Sequence, residues 1–332
     1  MSAVASPTLR GGPAAPLSIL ASAAVALGGA ALALALLGGG RGSVDLFFWA
    51  VVLAFWLGAW RLTSGIAALS PKGAAARRMA DLAVPVLFGL TCIVLWELVV
   101  RGLDVPIVLL PSPSQIAARI AASTGILWAD FRQTYLKAVL AGWALGCGLG
   151  FLAGVAVDRS PFLKRGLLPV GNLVSALPVI GIAPIMVMWF GFDWPSKAAV
   201  VVVMTFFPML VNTVAGLEAA GAMERDLMRT YAASPSQTLL KLKLPAAMPF
   251  LFNALKINST LALIGAIVAE FFGTPIVGMG FRISAEIGRL NTDMVWAEIA
   301  VAALAGSLSY GLLALLERAA TFWHPSTRAG RA

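Results

Sequence analysis

Apolar residues in this chain come in long runs, separated by short polar stretches that hold most of the lysines and arginines. Such runs occupy 17–37, 44–62, 83–101, 134–157, 167–190, 195–216, 249–272 and 295–317. Each is about 20 residues long, which is what a helix rising about 1.5 Å per residue needs to cross a hydrocarbon core of roughly 30 Å. The pattern predicts an all-α polytopic membrane protein with eight spans and both termini on one side.

Between the sixth and seventh runs the pattern changes. Residues from Glu218 to Tyr231 put Met223, Leu227 and Tyr231 on one helical stripe. After Ala232 and Ala233, the tetrapeptide Ser234-Pro235-Ser236-Gln237 carries two helix-start signals. Ser at the N-cap with Gln three residues on makes a capping box, and proline at the first helical position costs no hydrogen bond. The helix it opens carries Leu239, Leu240, Leu242 and Leu244 at i, i+3 and i, i+4 spacings, and Pro245 and Pro249 are expected to end it. The loop 217–248 therefore reads as a hairpin of two short amphipathic helices. On pattern alone, such a hairpin could simply lie on the membrane. The same tetrapeptide at 112–115 reads first as a structural cap and second as a docking element on the opposite side.

Composition agrees with the runs: 60% of residues are hydrophobic and 12% charged, too few charges for a soluble surface. The net charge of +9 resides in short loops. The loops on one side of the predicted spans hold 15 Lys and Arg, those on the other hold 8, and Lys256 lies within a span. By the positive-inside rule the richer side is cytoplasmic, placing both termini and the hairpin there, and no nucleic-acid partner is implied. The run 17–37 is longer than a signal-peptide core and soon leads into a second run, so it reads as a retained span. Residues 1–62 then form a tail and two spans, 63–82 a cytoplasmic linker, 83–317 the main body and 318–332 a cytoplasmic tail.

Candidate chemistry is sparse. No G-x-x-x-x-G-K-[ST] phosphate loop occurs, one histidine excludes H-E-x-x-H, and Cys92 and Cys147 fall inside spans, so neither ATP hydrolysis, a metal, a cofactor nor a disulfide is expected. Glu97 and Glu270 lie toward the non-cytoplasmic span ends, away from mid-membrane, where proton-coupled carriers usually place ionisable groups. Lys256 is expected to snorkel to the cytoplasmic interface. Gly142, Gly146, Gly150 and Gly154 share one face of the fourth span, a small-residue stripe for close helix packing within the chain or across a dimer. Pro178 and Pro184 loosen the fifth span, with Met188 and Trp189 just beyond, while Asn212, Asn258 and Ser259 are polar groups that lipid would penalise. These seven are the solute-pathway candidates; each could equally be a kink or an interhelical bond.

The hairpin resembles the EAA loop of binding-protein-dependent ABC transporter permeases. Aligned on Ala232, the chain gives Asp226-Leu227-Met228, then Ala232, then Leu242-Lys243-Leu244-Pro245 at the family's spacing. Asp226 stands where the family has glutamate, and Ala232 where it has glycine. The alanine disfavours a left-handed turn by roughly 1 kcal/mol, so a slightly different turn is expected. The segments at 109–115, 176–191, 206–217 and 269–273 are similar to nitrate/sulfonate/taurine-type permeases. The resemblance covers about 83–317 and leaves the first two spans outside a six-helix type I importer core. It implies a transport subunit of the bacterial inner membrane with no enzymatic activity of its own. Its expected partners are a separate ABC ATPase, a solute-binding protein and a second permease chain, most simply as a homodimer. Asp226, Tyr231, Ala232, Ala233, Ser234, Pro235, Leu242, Leu244 and Pro245 are the implied ATPase-coupling residues. The implied solute is a sulfonate, taurine, nitrate, or a pyrimidine or flavin-type precursor. The rival readings are a self-sufficient secondary carrier and a membrane scaffold.

Overall fold

A computed structural model describes residues 15–38, 45–69, 71, 73–175, 178–273 and 276–323, and the described residues form two compact units that divide between Ala118 and Arg119. All regular structure in them is helical. The first unit contains α1 (Ala15–Gly38), α2 (Leu46–Ala67) and α3 (Ala74–Gly102). Its core joins Ala33, Phe48, Val52 and Phe55 to Leu98 on α3. Asp45 caps α2 by accepting the Phe48 N–H at 3.1 Å.

Two expectations about this region change. The linker expected at 63–82 shrinks to the few residues between Ala67 and Ala74, because α2 and α3 each continue helically past the apolar run that defines them. The units also divide later than 63–82, since Leu98 packs α3 into the cluster built by α1 and α2. Helix α4 (Pro113–Ala122) follows. Its start uses the first copy of the tetrapeptide: Gln115 Oε1 accepts the Ser112 N–H at 2.8 Å, while the Glu97 carboxylate takes the Ser114 N–H and hydroxyl at 2.9 and 2.6 Å. A carboxylate at a helix N-terminus satisfies donors that have no partner within the helix.

The second unit is built on three long helices: α5 (Thr124–Arg159), then, after α6 (Pro161–Ser175) and α7 (Val179–Phe190), α8 (Trp194–Glu218), and later α10 (Pro235–Glu270). Short α9 (Ala222–Thr230) lies between α8 and α10; α11 (Met279–Gly288) and α12 (Thr292–Ala320) close the unit. Among the described residues seven helices are long and apolar enough to span a membrane. The fifth expected span, 167–190, is instead split into α6 and α7. Pro178 caps α7 with φ −69° and ψ 124°, an extended geometry that a continuous helix would not allow.

The glycine stripe explains how α5 and α8 approach. Gly142, Gly146, Gly150 and Gly154 are all buried and all face α8. A Cβ at Gly142 would sit 2.6 Å from Val201 Cβ, and one at Gly154 2.6 Å from Thr213 Cβ. Gly146 and Gly150 would meet Thr205 and the Phe206 carbonyl. The stripe is thus spent on packing within the chain, whereas Gly148, off that face, has no such neighbour within 4 Å.

Candidate functional site

Helix α10 settles the form of the hairpin. It runs unbroken from Pro235 to Glu270, 36 residues, so Pro245 and Pro249 do not end it as expected. The reason is local. Residues Leu239–Lys243 form a π turn in which the Leu244 N–H bonds the Leu239 carbonyl, and the wider turn accommodates Pro245 just beyond. At about 1.5 Å per residue this rod is about 54 Å long, well beyond the roughly 30 Å hydrocarbon core, so the hairpin and a membrane span are one piece.

At the rod's start the second tetrapeptide forms a complete capping box. Ser234 Oγ accepts the Gln237 N–H at 3.2 Å, and Gln237 Oε1 accepts the Ser234 N–H at 2.8 Å. The preceding α9 ends in a Schellman turn: the Ala233 N–H reaches the Met228 carbonyl and the Ala232 N–H the Arg229 carbonyl, both at 2.9 Å. Ala232 sits at the left-handed position with φ 49°. The turn expected to differ from the family's because of the alanine therefore takes the left-handed form, two backbone hydrogen bonds outweighing a cost of about 1 kcal/mol.

The hairpin's two faces are chemically distinct. Met223, Leu227 and Tyr231 are 83%, 55% and 77% exposed, an apolar stripe with no partner in this chain among the described residues. Leu239 and Leu244 instead pack against Leu217, Ala247 and Leu251 and hold the rod to α8. Leu242 and Pro245 are half-buried beside them. Lys243 donates to both oxygens of Asp158 at 2.8 and 2.9 Å, tying the π turn to the end of α5. Lys164 likewise pairs with Glu218, joining the start of α6 to the end of α8. Asp226 pairs with Arg229 at 3.3 Å where both are largely exposed, a contact worth little. Between the hairpin and α5 lies a cleft of about 860 Å³ lined by Asp158, Arg225, Asp226, Arg229, Lys243 and their neighbours.

All nine residues expected to couple to an ATPase therefore lie on one hairpin, whereas the seven pathway candidates do not share one cavity. Pro178 caps α7, and Met188 and Trp189 are 81% and 68% exposed near its end, with Pro184 half-buried between. Asn212 donates to the Pro208 carbonyl of its own helix at 2.8 Å. Asn258 is fully buried, donating to the Thr205 carbonyl at 2.8 Å and contacting Cys147 Sγ at 3.2 Å, so it joins α10, α8 and α5. Ser259 bonds the Lys256 carbonyl at 2.7 Å. Lys256 itself does not reach outward: its Nζ meets Glu317 of α12 at 2.7 Å, a carboxylate that a helix-by-helix reading does not bring near it.

At the opposite end of the unit, sequence reading missed a polar lock. Asp130 accepts the Gly278 N–H at 2.6 Å and Arg282 Nε at 2.9 Å, while Glu270 takes the Thr134 hydroxyl and the Gly280 N–H, both at 2.7 Å. A π segment, Arg132–Val139, lies here, and its Gln133 donates to Asp193 at 2.6 Å. The Trp194 N–H, together with Gln133, holds the Asp193 carboxyl below its ordinary value. Arg119 is raised by its hydrogen bond to Asp293 at 2.7 Å. Asp130 and Arg282 stand 152 positions apart, so no local pattern could pair them.

The structure is thus a helical membrane body carrying a two-helix hairpin whose apolar stripe is exposed. The chain belongs to the family of binding-protein-dependent transport system inner membrane components, whose model matches residues 146–321. It is 33% identical over 239 residues to the formylaminopyrimidine transport permease protein ThiX of Halalkalibacterium halodurans, covering 72% of this chain and 95% of that one. To the riboflavin transport system permease protein RibX of Chloroflexus aurantiacus it is 31% identical over 236 residues, 70% of this chain and 87% of that one. The solved structure of the inward-facing MetNI methionine ABC transporter matches with a TM-score of 0.50 at 18% identity, covering 59% of this chain and 98% of that chain. The protein is thus a multi-pass inner-membrane permease of an ABC importer for small solutes, with ATP hydrolysis on a separate subunit and a solute-binding protein as a further partner.

Proposed function

We propose that this permease works as a homodimer, each copy seating one hairpin in one ATPase subunit, and that it imports a pyrimidine- or flavin-type heterocycle. One chain carries one hairpin, so a symmetric ATPase pair calls for two copies. The observation that carries the coupling role is the continuity of the rod from Ser234 to Glu270. Force applied at the Met223, Leu227 and Tyr231 stripe passes through a capped, hydrogen-bonded turn into a membrane helix without a hinge, as rigid-body alternating access requires. Asp226, Ala232, Ala233 and Pro235 shape the turn, while Leu242, Leu244 and Pro245 seat the rod on its own unit. The excess of basic residues on the hairpin side supports an orientation with hairpin and termini in the cytoplasm. Exposed Met188 and Trp189 at the end of α7 are the pathway residues best placed to meet solute or the second copy. The solute class rests on the two relatives named for heterocycles.

The test is uptake in proteoliposomes holding the permease, its ATPase and its binding protein. Leu227→Asp and Tyr231→Asp, both on exposed positions, should abolish ATP-driven uptake and co-purification of the ATPase while leaving the permease folded. Full uptake by either variant would overturn the coupling assignment. A binding protein stabilised by sulfonates or nitrate and indifferent to pyrimidines and flavins would overturn the solute class alone.

A further inference from the structure

Helices α1 and α2 lie outside residues 146–321 matched by the family model, and their outer surface is not featureless. A crevice of about 290 Å³ opens between them, lined by Ser22, Val25, Ala54, Leu57 and Gly58 and ended by Arg61. Its walls are apolar apart from Ser22, whose hydroxyl is spent on the Ser18 carbonyl at 2.8 Å. Just beside it the helices touch: a Cβ on Gly58 would lie 2.9 Å from the Ala26 nitrogen. The cleft is therefore a dent of about 290 Å³ in a close-packed pair.

Arg61 is the feature that asks for an occupant. It is exposed, and among the described residues it has no carboxylate partner. It stands at the end of the apolar run 44–62, with α2 continuing past it to Ala67, so it lies at the membrane–water boundary. An unpaired guanidinium at that boundary is attracted to the phosphates of anionic lipids. Trp60, beside it in sequence, is 59% exposed, as expected of an aromatic at the membrane–water boundary. Arg77 and Arg78 lie in the first turns of α3, three and four residues after Ala74. Both are exposed and, among the described residues, without a carboxylate partner. Asp81 is the only carboxylate on these turns, so this end of the unit remains net positive.

We propose that the α1–α2 crevice is a binding site for an anionic phospholipid. One acyl chain lies along Val25, Ala54 and Leu57, and the headgroup phosphate is held by Arg61, with Arg77 and Arg78 adding to the local positive potential. The site recognises a phosphodiester carried on an acyl chain, not free phosphate, because the apolar crevice and the cation are joined end to end. It gives the helices outside the six-helix core a role in choosing the lipid that borders the transporter.

Native mass spectrometry of the full-length permease, titrated in detergent with phosphatidylglycerol or phosphatidylcholine, tests this. Wild type should retain phosphatidylglycerol in preference, and millimolar inorganic phosphate should not displace it. Arg61→Gln should weaken phosphatidylglycerol about fivefold, the loss expected for one basic group at a membrane surface, with little effect on phosphatidylcholine. Ala54→Phe fills the exposed crevice and should weaken both lipids. Equal binding of the two lipids by wild type, or an unchanged preference in Arg61→Gln, would overturn the proposal. So would displacement by phosphate. Unchanged thermal unfolding of each variant in detergent without added lipid separates loss of the site from loss of the fold.

Discussion

Replacing Ala232 by glycine should stabilise the hairpin turn even though it removes a side chain. Ala232 holds φ 49° as the residue just past the end of α9, donating to the Arg229 carbonyl, while the Ala233 N–H closes on Met228. A left-handed backbone costs an L-residue roughly 1–2 kcal/mol, and glycine avoids it. Glycine returns part of that gain through the extra freedom of the unfolded chain, about 0.5–1 kcal/mol. The net gain is therefore about 0.5–1 kcal/mol, or roughly a two- to fivefold smaller population of the open turn. Hydrogen–deuterium exchange of peptides covering 228–238 in the purified permease reads this directly, with peptides from the α5–α8 contact as an internal reference. Ala233→Gly is the control: Ala233 is not at positive φ, so glycine there should increase exchange by a comparable factor. If both variants move exchange in the same direction, the left-handed strain is not what distinguishes the two alanines, and the reasoning fails.

Three further outcomes follow from the packing. Gly146→Leu should prevent the permease from accumulating in membranes, because its first added carbon already meets Thr205, whereas Gly148→Ala should accumulate normally; fluorescence-detected size exclusion compares them. Lys243→Ala should destabilise the π turn by on the order of 2 kcal/mol by stranding the Asp158 carboxylate, whose side chain is 9% exposed. The exchanged pair, Lys243→Asp with Asp158→Lys, should recover part of this loss in thermal unfolding. Asp193 has its pKa lowered by the Trp194 N–H and by Gln133, so its contribution to stability is present above its ordinary value of 3.8 and is lost as pH falls through the lower folded value. Asp193→Asn should flatten the difference in unfolding temperature between pH 6 and pH 3 relative to wild type, and an unchanged difference would show that this carboxylate is not coupled to folding.

What could be read from the chain alone was whatever depends on neighbours in sequence. Seven of the eight apolar runs became long helices, because lipid forces each backbone to satisfy its own hydrogen bonds within a segment. The hairpin was legible for the same reason: the Ser234–Gln237 box and the Met223, Leu227, Tyr231 stripe are set by spacings of three and four. Even the glycine stripe could be read as a contact face, though not as the face that α8 covers.

Where local rules misled, a distant partner or an unusual turn was responsible. Pro245 and Pro249 were expected to end the second short helix, yet a π turn before them lets it continue into the membrane. Lys256 meets Glu317 of another helix, and Asn258 donates to the Thr205 carbonyl across to α8.

The sequence by itself therefore determined that the chain spans a membrane in helices and carries a capped amphipathic hairpin, since hydrophobic length and capping chemistry act over a few residues. Only the tertiary structure decided that hairpin and span form one rod, that α5 and α8 close through glycine, and that Asp130, Glu270 and Lys243 are locked to partners up to 152 positions away. Those choices depend on which helices meet, and in lipid that is governed by shape and by the need of each buried polar group for a partner, neither of which is written in any one segment.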